Sequence, residues 1–590
     1  MLKKFSPQPV SLWILVWFAI ALSLRLIHLS VPSLWMDEVA TILFSLGNSS
    51  HTIPLNEVIS LDQLLQHLEV TPSATAADVV ENLLAEDNHP PTYFVIAHAW
   101  MQLFHRADGY ASVWGARSLS AMFGALGVPA IYLLAWVNFQ NRTIGLLCAA
   151  LIAVSPLDVF LSQEARHYTL AILMVMASLI CYSLSMRALL KKETIHWPVG
   201  LSWVAINALS LSVHYFCGLT IVAEAVSLLF LLIQQCRTDA SAWKQAHWLR
   251  LYIVAAGTLA SVIIWLPLLL NFYGSPQSSF LKSGAVGWQQ WVNPIVQSLA
   301  GYLYAVLSPV TNGYGILSVT AIVASCFLLL AVYAPWLINQ LRRSLSFQIR
   351  QTHSRRGIQS MGGFFLSANV LFLLICYGLG FDITRGHRYS FVFFPSILVI
   401  VGAGLMPFWI AKTTSGTTSS QSFERVKLPL LNQSITGKAF VITVVVIAFL
   451  GSQVIVNNAS SLKFYKANQF VDLVRSESTY PIVIGTETTI TAQPIVIGIE
   501  IMSVGWEVKR QLDDSAQRWL KRPQFVIAEN NATKGFESQT QLVQSFSSVL
   551  RPLDLWLLNM SPDLTDTVCA AIKKGNRGSF SYTHYVCGSS

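Results

Sequence analysis

Asp37 and Glu38 stand side by side in the run SLWMDEVAT, with Trp35 and Met36 before them and Val39, Ala40, Ile42 and Leu43 after them. Carboxylates set against apolar neighbours are costly unless they are paired or used. The chemistry open to such a pair is that of a general base or a metal ligand, and the competing reading is plain solvation at a membrane edge. Farther on, Asn88 and His89 precede Pro90 and Pro91, which fix an extended entry to the apolar segment TYFVIAHAW and hold the imidazole at its mouth. Taken alone, His89 reads as a structural hydrogen-bonding residue. A third group, SPLDVFLSQEARHY, gathers Asp158, Glu164, Arg166, His167 and Tyr168 between two apolar stretches. Ionisable groups at that density at membrane depth point to function, against the plainer reading of a Glu164/Arg166 pair that caps a helix. The fourth group, FDITRGHRYSFVFFP, sets Arg385, His387 and Arg388 together. Guanidinium groups hold phosphate through forked, charge-assisted hydrogen bonds, and contact with lipid headgroups draws on the same physics. His214, Tyr215 and Lys282 join these groups more weakly.

The elements that must position these residues are membrane spans. Of the 590 residues 53% are hydrophobic and 11% charged, where a soluble domain carries about 25% charged residues; a soluble enzyme is excluded. The apolar residues fall in blocks of about 20, the length that crosses a hydrocarbon core. Spans are expected near residues 11–30, 116–138, 142–157, 167–190, 197–214, 217–235, 250–272, 315–338, 363–381, 389–411 and 439–457, about eleven in all. The apolar stretch that follows Lys3 and Lys4 runs into charged sequence without a small-residue cleavage pattern and reads as a retained first span. Two shorter apolar segments, 92–104 and 294–309, contain or adjoin Pro and polar residues; charge decides whether they cross. With both left outside, the N-terminus, Arg142, the Arg187/Lys191/Lys192 cluster and the basic loop 339–360 all face the cytoplasm, as the positive-inside rule requires. The net charge of +9, from 38 Lys and Arg against 29 Asp and Glu, is then accounted for by topology, and nucleic acid is an unnecessary partner.

This topology makes 31–115 one long outer loop of a transmembrane region 1–457 and delivers 458–590 to the same, extracytoplasmic side of a plasma membrane. The tail alternates strand-like runs (PIVIGT at 481–486, QFVIAE at 524–529, DLWLLNM at 554–560) with helical stretches near 463–476 and 538–548. A small α/β domain follows from that alternation. It carries no glycine fingerprint and no nucleophile elbow. The Thr/Ser-rich stretch 413–422 reads as a cytoplasmic linker. Six of the eight cysteines lie in or beside apolar segments, where a small buried hydrophobe is expected; Cys569 and Cys587, in the polar tail, are the pair open to a disulfide.

The order of these groups resembles the GT-C fold of lipid-dependent glycosyltransferases, in particular the protein O-mannosyltransferase and aminoarabinose transferase-like group. The resemblance runs over residues 10–410 and rests on Asp37-Glu38 after one span, His89-Pro90-Pro91, Arg117 to Ala121 opening the next span, Ser155-Pro156 with Ser162 to Tyr168, and Arg388-Tyr389 to Pro395. It implies sugar transfer from a polyprenyl-phosphate donor to a lipid, glycan or protein acceptor on the outer side, with inversion at the anomeric carbon. Asp37 would then deprotonate the acceptor, Glu38 and Glu164 would support it as acids or metal ligands, and Arg388 with Arg385 would hold the departing phosphate. His89, Arg166, His167, Tyr168 and Tyr389 complete the substrate-binding set. Metal use differs within the superfamily, so whether a divalent ion takes part stays unknown. The rival class is a polytopic transporter or a lipid-linked glycan flippase, against which the ionisable groups gather at outer loop junctions and no inverted repeat appears.

Overall fold

In the computed structural model the described residues are 9–104, 106–272, 281–282, 287–311, 315–411, 423–463, 465–489, 496–514, 519, 522–530, 544–545, 549, 551–560, 562, 564 and 569–588. The chain divides into two compact units. One contains residues 1–27, 120–270 and 279–462; the other contains 28–119, 271–278 and 463–590, and the division falls inside the helix Val113–Phe139.

The first unit is helical, and its apolar blocks dictate that. Among the described residues seven helices are long and apolar enough to cross a membrane: Val113–Phe139, Tyr168–Leu190, Cys217–Thr238, Ala246–Pro267, Thr320–Gln348, Ser354–Gly378 and Gly437–Val456. Val10–Leu26, Trp197–Val213 and Phe394–Ile410 are apolar but shorter, and Arg142–Ala153 with Pro156–Ser162 forms a pair bent by 55°. The chain is thus an integral membrane protein. Its helices keep large apolar side chains on their outsides: Ile264, Leu270, Phe327 and Leu366 are all more than 60% exposed. That is the surface a bilayer solvates and water does not.

The bend in the pair has an identifiable cause. Pro156 has no N–H, so the bond that a continuous helix would return to the Ile152 carbonyl is missing. Arg25 adds side-chain donors there. Its guanidinium donates to the carbonyls of Ile152 at 3.0 Å and Ala153 at 3.1 Å, to Ala21 at 2.8 Å and to Ser162 Oγ at 3.1 Å, and it pairs with Asp158. Gly124 is required beside it, because a Cβ there would lie 2.0 Å from Ser162 Oγ and 2.9 Å from Arg25 Nε. Gln163 Nε2 reaches the last carbonyls of the first helix, with its shortest bond, 2.9 Å, to Ile27. Asp158, Ser162 and Gln163 therefore fasten the fold.

The second unit joins residues 28–119 to the tail. Its six-stranded sheet runs in the order Val58–Ile59, Gln524–Asn530, Ile482–Thr489, Leu553–Leu558, Phe580–Cys587, Cys569–Arg577. The strand Ile482–Thr489 is parallel to both of its neighbours, and the remaining pairings are antiparallel. The helix Ile499–Asp513 lies between the parallel strands 482–489 and 524–530 in the chain, the crossover that a parallel pair needs. Val483, Val526, Leu553, Leu555 and Leu557 fill the sheet's core. Cys569 and Cys587 face each other in the antiparallel register and form a disulfide.

Three of the expected tail strands and the helix Ala467–Glu477 are present. The sheet takes its edge strand Val58–Ile59 from the stretch 31–115, and the compact unit that holds 463–590 also holds 28–119. The linker 413–422 and most of the expected helix 538–548 lie outside the described residues.

Candidate active site

In the second unit, Asp37 and Glu38 occupy the first turn of the helix Met36–Ser45, where the backbone dipole favours negative charge. Their surroundings differ. Glu38 is buried, and Arg117 grips it with a fork: Nε to Oε1 at 2.7 Å and Nη2 to Oε2 at 2.7 Å. The same guanidinium donates to the carbonyls of Leu29 at 2.8 Å, Pro32 at 3.0 Å and Ser33 at 3.2 Å, so all five of its N–H groups are used. Glu38 is thereby committed to holding the turn that precedes it. Asp37 is half-buried, and its backbone carbonyl accepts from Thr41 Oγ1 at 2.8 Å. The Tyr465 phenol, on the tail, is pushed well above its ordinary value by burial, then by the negative charge of Glu500 and of Asp37. Burial also raises the Glu500 carboxyl, against a hydrogen bond from Asn559. The Tyr465 phenol thus lies within electrostatic reach of both Asp37 and Glu500.

His89 lies in the same unit. Asp87 Oδ2 is 2.9 Å from its Nδ1, while Asp87 Oδ1 accepts from the Asn88 backbone N–H at 2.7 Å. A carboxylate can only accept, so Nδ1 carries the proton and the ring orientation is set. Asp87 is thus the residue behind the His89-Pro90-Pro91 signal.

In the first unit the third and fourth sequence groups come together. His167 and Tyr168, at the start of the helix Tyr168–Leu190, meet His214, with ring centroids 4.5 and 5.7 Å away. The segment His387–Val392 brings Tyr389 to 6.4 Å and Phe391 to 4.9 Å from the same His214 ring. His214 accepts at Nδ1 from the Phe216 N–H at 3.0 Å, so its neutral form carries the proton on Nε2. Arg166 is buried, with its guanidinium 5.7 Å from the Tyr168 ring centre; Arg388 is half-buried, 6.0 Å from that of Tyr389. Glu164 is buried beside this segment. Ser120 holds the chain here, donating to the Arg166 carbonyl at 2.8 Å and accepting at its own carbonyl from Thr169 at 3.0 Å. The His387 ring sits below its ordinary basicity because burial, and then the Arg388 charge, disfavours the imidazolium. Arg385 is exposed and donates to the Lys282 carbonyl at 3.3 Å. The arrangement offers two guanidinium groups, imidazole N–H donors and aromatic faces, a set suited to a phosphate and a sugar ring.

Asp158 departs from the expected grouping, since it is the partner of Arg25 in the bent pair. The signal for that pairing was a lone Arg inside the first span. Among the described residues no group of three or more His, Cys, Asp or Glu side chains is placed to hold a metal ion.

No protein-family model and no curated protein matches the sequence. Solved structures align with most of the chain at low identity. One is ArnT from Cupriavidus metallidurans in the apo state, at 12% identity, covering 97% of this chain and 98% of that one with a TM-score of 0.47. The same protein bound to undecaprenyl phosphate aligns at 12% identity over 97% and 98%, with a TM-score of 0.45. The Archaeoglobus fulgidus oligosaccharyltransferase in the apo form aligns at 11% identity over 96% of this chain and 71% of that one, with a TM-score of 0.44.

Proposed function

We propose that this chain is a membrane glycosyltransferase of the GT-C type, which moves a sugar from a polyprenyl-phosphate carrier to an acceptor hydroxyl outside the cytoplasm. The observation that carries this reading is that two adjacent acids open one helix, one gripped by a buried guanidinium and the other half-buried beside it. Arg117 takes both oxygens of Glu38, whereas Asp37 is half-buried in the first turn of the same helix. Asp37 is the base: it takes the acceptor's hydroxyl proton as that oxygen attacks the anomeric carbon. The bond from that carbon to the phosphate oxygen breaks, and polyprenyl phosphate leaves with the electron pair. Attack opposite the leaving group inverts the anomeric configuration. Phosphate is already a competent leaving group, so the chemistry asks only for a base and for fixed positive charge.

Arg388 supplies that charge, with Arg166 and Arg385 as further cations. His89, His167, Tyr168 and Tyr389 bind the donor or acceptor, and Glu164 supports the acid set. Glu38 acts through Asp37, as a positioning residue. The acceptor class is a lipid, a glycan or a protein.

The rival reading, a transporter or flippase, has one observation in its favour: Glu224 lies buried inside the helix Cys217–Thr238. Its carboxyl is 2.9 Å from the Ser178 hydroxyl, which also receives the Trp203 indole N–H at 3.0 Å. That network ties three helices together, which is what polar side chains between spans commonly do.

Two experiments address this reading. In the first, Arg388→Ala weakens binding of a polyprenyl-phosphate sugar more than Arg166→Ala does, and Arg388→Lys recovers part of the loss because an ammonium keeps the charge without the planar fork. Equal donor affinity in Arg388→Ala and the parent would leave Arg388 with lipid anchoring. The second concerns topology. The basic loop 339–360 belongs in the cytoplasm and three further spans follow it, so a phosphatase fused after residue 590 is active and a fluorescent protein fused there is dark. The opposite pattern would invert the assignment.

A further inference from the structure

The turn before Asp37 is held from two sides, and the second side belongs to the tail. Arg117 takes the carbonyls of Leu29, Pro32 and Ser33. From the helix Ile499–Asp513, the fully buried Ser503 donates to the Leu34 carbonyl. The Ser33 hydroxyl accepts from the Asn468 backbone N–H at 3.2 Å and donates to Glu507 Oε2 at 3.3 Å. Glu507 is itself buried, and Arg510 on the next turn donates to it, Nε to Oε2 at 3.0 Å. The approach of this helix is close: a Cβ on Gly505 would lie 2.8 Å from Leu64 Cδ2 in the first loop. Residues 33 and 34 immediately precede the capped start of the helix that carries Asp37. Polar groups that a solvated loop would leave to water are here taken by the buried side chains of Ser503 and Glu507 and by the Asn468 backbone N–H, all more than 430 residues away in the chain.

We propose that the tail takes part in the reaction by fixing this turn, with Ser503 and Glu507 as positioning residues for Asp37. The proposal rests on the reading of Asp37 as the base. A base works only within hydrogen-bond reach of the proton it takes, and a misplacement of about 1 Å costs up to roughly 100-fold in rate. The tail is thus a working part of the transferase, although it presents no catalytic motif of its own.

The test uses the full chain in lipid nanodiscs, with Ser503→Ala and Glu507→Gln, both of which keep the side chain's approximate volume. Amide hydrogen exchange of residues 29–38 is expected to speed up in both variants while that of the core strand Leu553–Leu558 stays as in the parent. In the transfer assay kcat falls by about 10- to 100-fold, with donor affinity unchanged. Unchanged exchange at 29–38, or faster exchange there with kcat intact, would overturn the proposal. Exchange that rises equally in the core strand would also overturn it, since the residues would then serve only general stability. A parent protein that transfers no sugar would sink the reading of Asp37 instead, and the exchange result would still report whether the tail holds the turn.

Discussion

Asp37→Asn is expected to lower sugar transfer by about 100- to 10,000-fold, the typical loss when a general base is removed. The amide keeps the side chain's shape and its place in the first helical turn, so expression, membrane insertion and donor binding survive. A half-buried carboxylate that is not a base would serve either solvation at the interface or support of the fold, and the two roles predict different results. Solvation predicts near-normal turnover. Support of the fold predicts a lower thermal midpoint together with weaker donor binding. A correctly folded Asp37→Asn protein that transfers within a few-fold of the parent would remove Asp37 from the base role and make Glu164 the leading carboxylate.

Arg117→Ala should have the largest effect on stability. The change strands the Glu38 carboxylate, buried with no guanidinium to meet it, and leaves the carbonyls of Leu29, Pro32 and Ser33 without their donor. Breaking one side of a buried ion pair costs about 3–5 kcal/mol. The double variant Arg117→Leu with Glu38→Leu should recover part of that loss, because no buried charge is left unpaired. A thermal-shift series in one detergent checks both outcomes. If Arg117→Ala melts with the parent, the clamp is not what holds the turn before Asp37. Glu38→Gln keeps shape and loses charge, so its effect on kcat should be milder than that of Asp37→Asn.

The membrane segments were legible because a bilayer demands long apolar helices, and such blocks stand out without knowledge of any partner. The tail's strands were legible for a similar reason: PIVIGT and QFVIAE are short apolar runs, and they became the parallel strands of the sheet. Tertiary pairing was not legible. Arg25 and Asp158 are 133 residues apart and Arg117 and Glu38 are 79 apart, and although a lone Arg in a span asks for a partner, no local pattern says which residue it is. Asp158 thus looked like one more ionisable residue at an outer junction, when its work is to repair the helix that Pro156 breaks. Glu38 and Asp37 are adjacent carboxylates in the sequence, and the grip of Arg117 on Glu38 is visible only in the structure. Val58–Ile59 contributes two residues to the sheet, too few for any alternation to show. His214 was a weaker signal than Arg166 or Arg388, yet it stands at the centre of the rings that join the two sequence groups. Residue type pointed to the chemistry, and the structure assigned the residues that hold it in place.

The central claim is that the bond to the carrier phosphate is broken, and the direct measurement follows both halves of the donor. Purified protein is given a polyprenyl-phosphate sugar labelled on the sugar, together with lipid, glycan and peptide acceptors, and the products are separated. The account predicts that label enters an acceptor with inverted anomeric configuration, that one polyprenyl phosphate appears for each sugar moved, and that Asp37→Asn abolishes both. Donor that crosses sealed vesicles intact, with no polyprenyl phosphate released by the parent, would contradict it.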